Sequence, residues 1–319
     1  MSEIIDRTPD DPSNERAWAE LQSLSGKKLP ASIDFSGFTE LDVALDPGQR
    51  TMWGLMRPKG PPSFTRGLLR DIAAAMRLIH RIHLEREPGS PNPVTFCVMA
   101  SDTPGIFNLG GDLGFFVKCV RAGDREGLRA YAYDCVEATF CGLHGMEAPC
   151  LSILVVEGDA LGGGFEAAIS GHILIAERGA RMGMPEALFN TFPGMGAYSF
   201  LSRKLGMVRA EKLIMSGKIH TAEEMFDLGV VDLLAEPGEA RDAARKYIAD
   251  NQRRQPLLHA MNKVRKRVFP ITREELRDVV DIWVDTTMEL GPGDLRKMEY
   301  LMEAQTRRRG GTPFNIGGG

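Results

Sequence analysis

The chain has 319 residues, 43% of them apolar, with a net charge of −4 and a pI near 5.9. That length gives one large folded domain or two modest ones, and without a basic excess nucleic acid is not expected as the main partner. The opening "MSEIIDRTPDDPSNER" has no apolar signal core, and no apolar run reaches the roughly 18 residues that span a bilayer, so a cytoplasmic protein without membrane association is expected.

Residues 1–40 are polar and broken by Pro9, Pro12 and Pro30; they read as an arm, with one short helix near Trp18. "RTMWGLMRP" reads as a strand. "RGLLRDIAAAMRLIHRIHLER" has helical spacing through Leu69, Ile72, Met76, Ile79 and His83. "VTFCVMAS" is rich in β-formers and ends in the turn-like "DTPG", so it is a buried strand. "CLSILVVEG" and "HILIAE" are two more, and "DREGLRAYAYDCVEATFCGLHGM" lies as helix between "VTFCVMAS" and the first of these. Strands alternating with helices indicate an α/β architecture with parallel pairing.

After about residue 240 the pattern becomes helical. "TREELRDVVDIWVDTTMEL" opens with a capping-box pattern, Thr272-x-x-Glu275, and places Leu276, Val280, Trp283 and Val284 on one side. "GPG" at 291–293 breaks it, and Leu295, Met298 and Met302 continue the stripe in a second helix. These helices must bury their stripe against the body or another subunit. The last residues, 310–319, within the tail "RRRGGTPFNIGGG", are expected to be disordered and solvated.

The five cysteines (Cys97, Cys119, Cys135, Cys141, Cys150) are odd in number and lack CxxC spacing, which fits neither a disulfide framework nor a zinc site. GxSxG and HExxH motifs are absent as well. His144 and His172 lie in apolar context, which suits structural roles. Asp112 suits a helix N-cap or a turn.

"EGDALGGGFEAAIS", Glu157 to Ser170, admits three readings. Gly162, Gly164 and Ala167 satisfy GxGxx(G/A), and Glu186 stands about where a ribose-binding acid would. Against this, Glu166 would repel a pyrophosphate docked on the first helical turn, and Glu186 follows Pro185 at an apparent helix start. The glycines could instead serve only a tight turn, with Glu166 on the surface. That leaves Gly110-Gly111 in "FNLGGDL" unexplained. In the third reading each glycine segment offers a backbone amide to one carbonyl oxygen, aided by a helix N-terminus. Glu166 and a second carboxylate would flank the same carbon. That arrangement suits proton transfer α and β to a thioester carbonyl.

"FNLGGDL", "ALGGGFEAAIS" and "MGMPEALFNTFPGMGA" resemble the signature segments of the crotonase (enoyl-CoA hydratase/isomerase) superfamily. "PEALF", "FPGMGAYSFL" and "IWVDTTMEL" further resemble its diffusible signal factor synthase branch. The resemblance covers residues 45–308. It implies a spiral of ββα units, with a catalytic core over 41–240 and, over 241–309, C-terminal helices for oligomerisation, commonly as trimers, and pocket cover. Carried over by position, Gly111 and Gly163 match the oxyanion donors, and Glu166 and Glu186 match the catalytic glutamates. The branch makes cis-2-unsaturated fatty-acid signals from acyl carrier protein thioesters, by dehydration and thioester hydrolysis, without a cofactor. Where many crotonases have AG(A/G)D, this chain has Asn108 and Leu109 before the glycines.

For the acyl chain, Met184, Leu188, Phe189 and Trp283 are the expected contacts, with Phe192 on the same wall. Met182, Met195 and Met215 are further tunnel candidates, for which core packing is the plainer role. The alternatives are a coenzyme-A-dependent hydratase or isomerase and a non-catalytic protein that binds a signal sensor.

Overall fold

The computed structural model describes residues 37–308 apart from Glu87 and Glu147. The expected helix near Trp18, most of the arm and the tail lie outside the described residues.

Two antiparallel strands, β1 (Leu41–Asp46) and β2 (Thr51–Met56), lead into helix α1 (Arg66–Glu85). The Thr65 side chain accepts the Leu68 N–H as N-cap, and Leu68, Leu69, Ile72, Ala75, Ile79 and Ile82 form the buried stripe. The same unit then repeats: β3 (Phe96–Ser101) and β4 (Ile106–Asn108) precede α2 (Leu113–Ala122) and α3 (Arg125–His144). Next, β5 (Leu151–Val156) and β6 (Asp159–Leu161) precede α4 (Gly163–Ser170). Finally, β7 (Ile173–Glu177) and β8 (Arg181–Gly183) precede a 3-10 turn (Pro185–Phe189) and α5 (Ala197–Leu205).

In the three later units the first strand is long and the second has three residues, and the two go to different sheets, whereas β1 and β2 both lie in the large sheet. The large sheet has the order β1-β2-β3-β5-β7-β10, β10 being Leu233–Ala235. From β2 to β10 its neighbours are parallel, and all residues of β2 and β5 are buried, as a sheet covered on both faces requires. The small sheet has the order β4-β6-β8-β9, β9 being Ile219–Thr221, with β4, β6 and β8 mutually parallel. This is the expected α/β spiral of ββα units.

Helices α6 (Met207–Ser216) and α7 (Ala222–Asp227) complete the α/β body. After β10 come α8 (Ala240–Asn251), α9 (Gln255–Val268), α10 (Arg273–Met288) and α11 (Pro292–Arg308). Helix α10 is tied to α3 by the ion pairs Arg129–Asp281, Arg125–Asp285 and Arg273–Glu137. The capping box expected at its start is half made. Thr272 Oγ accepts the Glu275 N–H, but the Glu275 carboxylate is drawn to Arg203 at 2.7 Å instead of turning back to the backbone. A reciprocal box forms at Thr221–Glu224, where none was expected.

Candidate active site

The three parallel strands of the small sheet end side by side, and each C-terminal end opens into one site segment. Strand β4 runs into Asn108-Leu109-Gly110-Gly111, β6 into Gly162-Gly163-Gly164, and β8 into Met184-Pro185-Glu186. Loops at the carboxyl ends of parallel strands are where α/β folds bind ligands. Here that rule brings together segments from residues 108–111, 162–164 and 184–186. The bidentate pair Arg181–Asp159 fixes β8 to β6 at the opposite end.

The three consecutive glycines have separate reasons. Gly162 has φ +55°, and a Cβ there would lie 2.7 Å from Oε1 of Glu186. At Gly163 a Cβ would press on the Met195 sulfur at 2.4 Å and touch the Gly110 Cα and the Gly111 nitrogen at 3.4 and 3.5 Å, so a side chain would crowd the space beside both amides. At Gly164 a Cβ would come within 2.0 Å of the Asn108 backbone oxygen, so α4 packs directly on β4. Gly110 and Gly163 also approach closely: a Cβ on Gly110 would stand 2.9 Å from the Gly163 nitrogen. Among the described residues no acceptor takes the Gly111 or Gly163 N–H.

The first glycine loop is pinned from both sides by groups that the sequence reading did not assign. Asn108 Oδ1, buried, accepts the Gly110 N–H at 2.8 Å. The Gly110 carbonyl accepts the Phe64 N–H at 2.8 Å. The Tyr131 hydroxyl accepts the Asp112 N–H at 3.0 Å and donates to the Phe64 carbonyl. Asp112 itself caps α2 through the Phe115 N–H. The peptide that ends in the Gly111 N–H is therefore held at its own carbonyl and at both neighbours.

Glu166 is 1% exposed, which removes the surface reading of that residue. Its Oε1 accepts two backbone amides from the "FPGMGA" segment, Met195 N–H at 2.7 Å and Ala197 N–H at 2.9 Å. Burial raises its pKa first and the nearby Glu186 charge second, while the amides oppose both. Glu186 is likewise raised by burial, and its Oε2 is buried without a hydrogen-bond partner among the described residues. Two carboxyls held above the ordinary carboxylate range, close enough to interact, can exchange protons with a ligand near neutrality.

Both glutamates and both amides open onto one cavity of about 350 Å3. Leu188, Phe189 and Trp283 line it as expected, together with Phe116, Met195 and Met298. Trp283 stands edge-on to Phe116 at 5.1 Å and packs flat against the Gly194 backbone, where a Cβ would lie 2.6 Å from its ring. Helix α10 thus forms one wall, and α11 adds Met298 and Leu301.

Some expected wall residues lie elsewhere. Met184, 1% exposed, is packed in the core and does not line the cavity, which the chain reaches only from Pro185 and Glu186 onward. Phe192 packs against the core outside the lining residues. Met182 is core, and Met215 is 73% exposed at the end of α6, remote from either role. His172 is buried between Ser152 and Asn262, and burial pushes its pKa down to about 3, which suits a neutral structural histidine. Among the described residues no group of three or more His, Cys, Asp or Glu could hold a metal ion, and no helix is long and apolar enough to cross a membrane.

The chain spans about a quarter of the length of the first curated relative it matches. That relative, the "Peroxisomal fatty acid beta-oxidation multifunctional protein AIM1" of Arabidopsis thaliana, is 31% identical over 57% of this chain and 24% of its own length. A methylglutaconyl-CoA hydratase of Rattus norvegicus is 28% identical over 62% of this chain and 58% of its own. Among solved structures, Pseudomonas aeruginosa DspI superposes with a TM-score of 0.62 at 26% identity, covering 88% of this chain and 94% of that one. An enoyl-CoA hydratase of Bacillus halodurans gives 0.67 at 19% identity, covering 83% of this chain and 100% of that one. The family model described as "Enoyl-CoA hydratase/isomerase" matches residues 57–277, which take in all three strand-end segments and end in the first turn of α10. With a match over well more than half of its length, and a fold that repeats the ββα unit, the chain belongs to the enoyl-CoA hydratase/isomerase family.

Proposed function

We propose that the protein dehydrates a 3-hydroxyacyl thioester carried on acyl carrier protein and then hydrolyses the thioester, releasing a cis-2-unsaturated fatty acid that serves as a signal. The observation that carries this reading is a pair of carboxyls, Glu166 buried and Glu186 half-buried, both raised in pKa by desolvation and facing the same cavity as the Gly111 and Gly163 amides.

The thioester oxygen sits between the two amides. One glutamate removes the α-proton, and the amides hold the enolate oxygen, where their preorganised dipoles act in a site shielded from water. The enolate electrons form the α,β double bond as the β C–O bond breaks, and the second glutamate protonates the departing hydroxyl, which leaves as water. For hydrolysis a glutamate takes a proton from water, the hydroxide attacks the thioester carbon, and the same amides hold the tetrahedral oxyanion. The carrier thiolate leaves and regains a proton. Both steps use one oxygen site, which makes a dual activity economical for this cavity. The apolar wall of Leu188, Phe189, Phe116 and Trp283 suits a fatty chain, since each buried CH2 contributes about 0.8 kcal/mol.

Matched 3-hydroxyacyl thioesters of acyl carrier protein and of coenzyme A test the reading, with products analysed by mass spectrometry. Free 2-unsaturated acid from the carrier-protein substrate is expected. Reversible hydration of the coenzyme A thioester with no free acid would assign the protein to the hydratase alternative.

A homo-oligomer, in keeping with trimers, belongs to the same proposal. Helix α9 has no buried residue in the single chain and exposes Leu257, Met261, Val264 and Val268 at i, i+4, i+7 and i+11. Sedimentation of the purified protein at the mass of one chain would overturn this.

A further inference from the structure

Helix α1 starts at the edge of the candidate site. Phe64, two residues before it, forms a bridge to Gly111. Arg66 in its first turn lies over the Phe115 ring at 4.2 Å, and that ring packs on Tyr131, a lining residue of the cavity. From there the helix presents Arg66, Arg70, Arg77 and Arg81, all exposed. At 100° per residue these four fall within about a sixth of the helix circumference, and they extend roughly 22 Å along the axis. Four like charges on one stripe repel, and folding alone gives no reason to collect them in a chain whose net charge is −4.

Their local partners are few. Arg70 approaches Asp71 only at 3.9 Å, and Asp71 is buried, accepting the Thr39 and Glu40 amides. Arg77 and Arg81 make no ion pair among the described residues. Between α1 and α3 runs a groove of about 550 Å3, with Leu69, Ala73 and Met76 among its lining residues and Arg66, Arg70 and Arg77 along one wall. The facing wall carries Asp134 and Glu137, and Glu137 is already bound by Arg273 at 2.8 Å. The groove is therefore apolar along its floor and cationic along one rim.

We infer that the arginine stripe of α1 is the docking surface for the acidic carrier protein that delivers the thioester, with an acidic amphipathic helix of the carrier lying along the groove. The inference rests on the proposed function and adds where the carrier binds. An acidic face meets the arginines, its apolar edge meets Leu69, Ala73 and Met76, and the carrier's pantetheine arm enters beside Arg66 towards the Gly111 amide. Charge complementarity of this kind raises the association rate and falls with salt.

The test uses Arg70→Glu/Arg77→Glu/Arg81→Glu in the full chain. None of the three lines the cavity, and all are exposed, so folding is expected to persist and is checked by thermal denaturation. Three substrates with one acyl group are compared: the acyl carrier protein, coenzyme A and N-acetylcysteamine thioesters. KM for the carrier-protein substrate is expected to rise at least tenfold, with kcat unchanged, while kinetics on the N-acetylcysteamine thioester stay the same. Addition of salt should weaken the wild type towards the variant. An unchanged KM for the carrier-protein substrate overturns the docking surface. An equal rise for coenzyme A, with none for N-acetylcysteamine, assigns the stripe to the phosphates of a free cofactor thioester and also overturns it. A wild type that does not turn over the carrier-protein substrate at all overturns the functional reading itself. A misfolded triple variant is replaced by Arg77→Glu/Arg81→Glu, read in the same way.

Discussion

The Met195 N–H donates to Glu166 Oε1 at 2.7 Å, and the Ala197 N–H donates to the same oxygen at 2.9 Å. The backbone after Glu186 thus fixes the carboxyl of Glu166, and one of its oxygens is left for the cavity. Two amide donors ordinarily favour a carboxylate, but complete burial and the Glu186 charge outweigh them.

That balance has a consequence for stability. A carboxyl whose pKa rises on folding holds its proton more tightly in the native state. Above the reference value of 4.5 the native state therefore binds more protons than the unfolded chain, and stability falls as pH rises through the folded value. Glu166→Gln and Glu186→Gln remove this loss, and Gln keeps an oxygen for the two amides. Each variant should melt like the wild type below pH 4.5 and progressively higher as pH rises, gaining about 1.4 kcal/mol for each unit by which folding raises the group. Thermal denaturation across pH checks this; a difference that does not grow with pH contradicts it.

The glycines divide into packing and chemistry. Gly164→Ala sets a Cβ against the Asn108 carbonyl and should destabilise the fold by about 1–3 kcal/mol, as overpacking does. Gly163→Val meets the movable end of Met195 instead. It should stay folded and lose activity beyond any loss of stability. A folded, fully active Gly163→Val would leave Gly163 with only a turn to make.

Tyr131 is a positioning residue, acting through the Asp112 and Phe64 backbone. Tyr131→Phe removes the hydroxyl and keeps the ring packing. Turnover should fall by about tenfold, the worth of roughly 1.4 kcal/mol in the transition state, with KM little changed because the acyl wall is intact. A rise in KM at constant kcat would place the hydroxyl in substrate binding instead.

Trp283 bounds the cavity and also packs on Phe116 and Gly194. Trp283→Ala should shift product preference towards longer or branched chains while both glutamates still function. Loss of the roughly 3–5 kcal/mol typical of a core aromatic with an unchanged product profile would make it core alone.

The long elements were legible because their periodicity is long: the stripe of α1, the apolar runs of β3, β5 and β7, and the one-sided pattern of α10. Strands β4, β6 and β8 were not, because three residues carry no period. Yet those are the strands that align the site. Gly111, Gly163, Glu166 and Glu186 were singled out through local glycine and carboxylate patterns and a family resemblance, and the structure brings all four to one cavity. Tyr131 and the Met195 and Ala197 amides were not found, since their roles exist only across tertiary contacts. Met184 was misplaced because an apolar neighbour in sequence does not say which way a turn at Pro185 faces.

The central claim is that two carboxyls and two amides act together on a 3-hydroxyacyl thioester. Its most direct test is single-turnover dehydration by wild type, Glu166→Gln and Glu186→Gln, with folding confirmed for each. Each substitution alone should cost at least about 10²-fold, the usual scale for a general acid or base, and the double variant little more, because the groups serve one reaction. Near-wild-type turnover by either folded single variant would contradict the account.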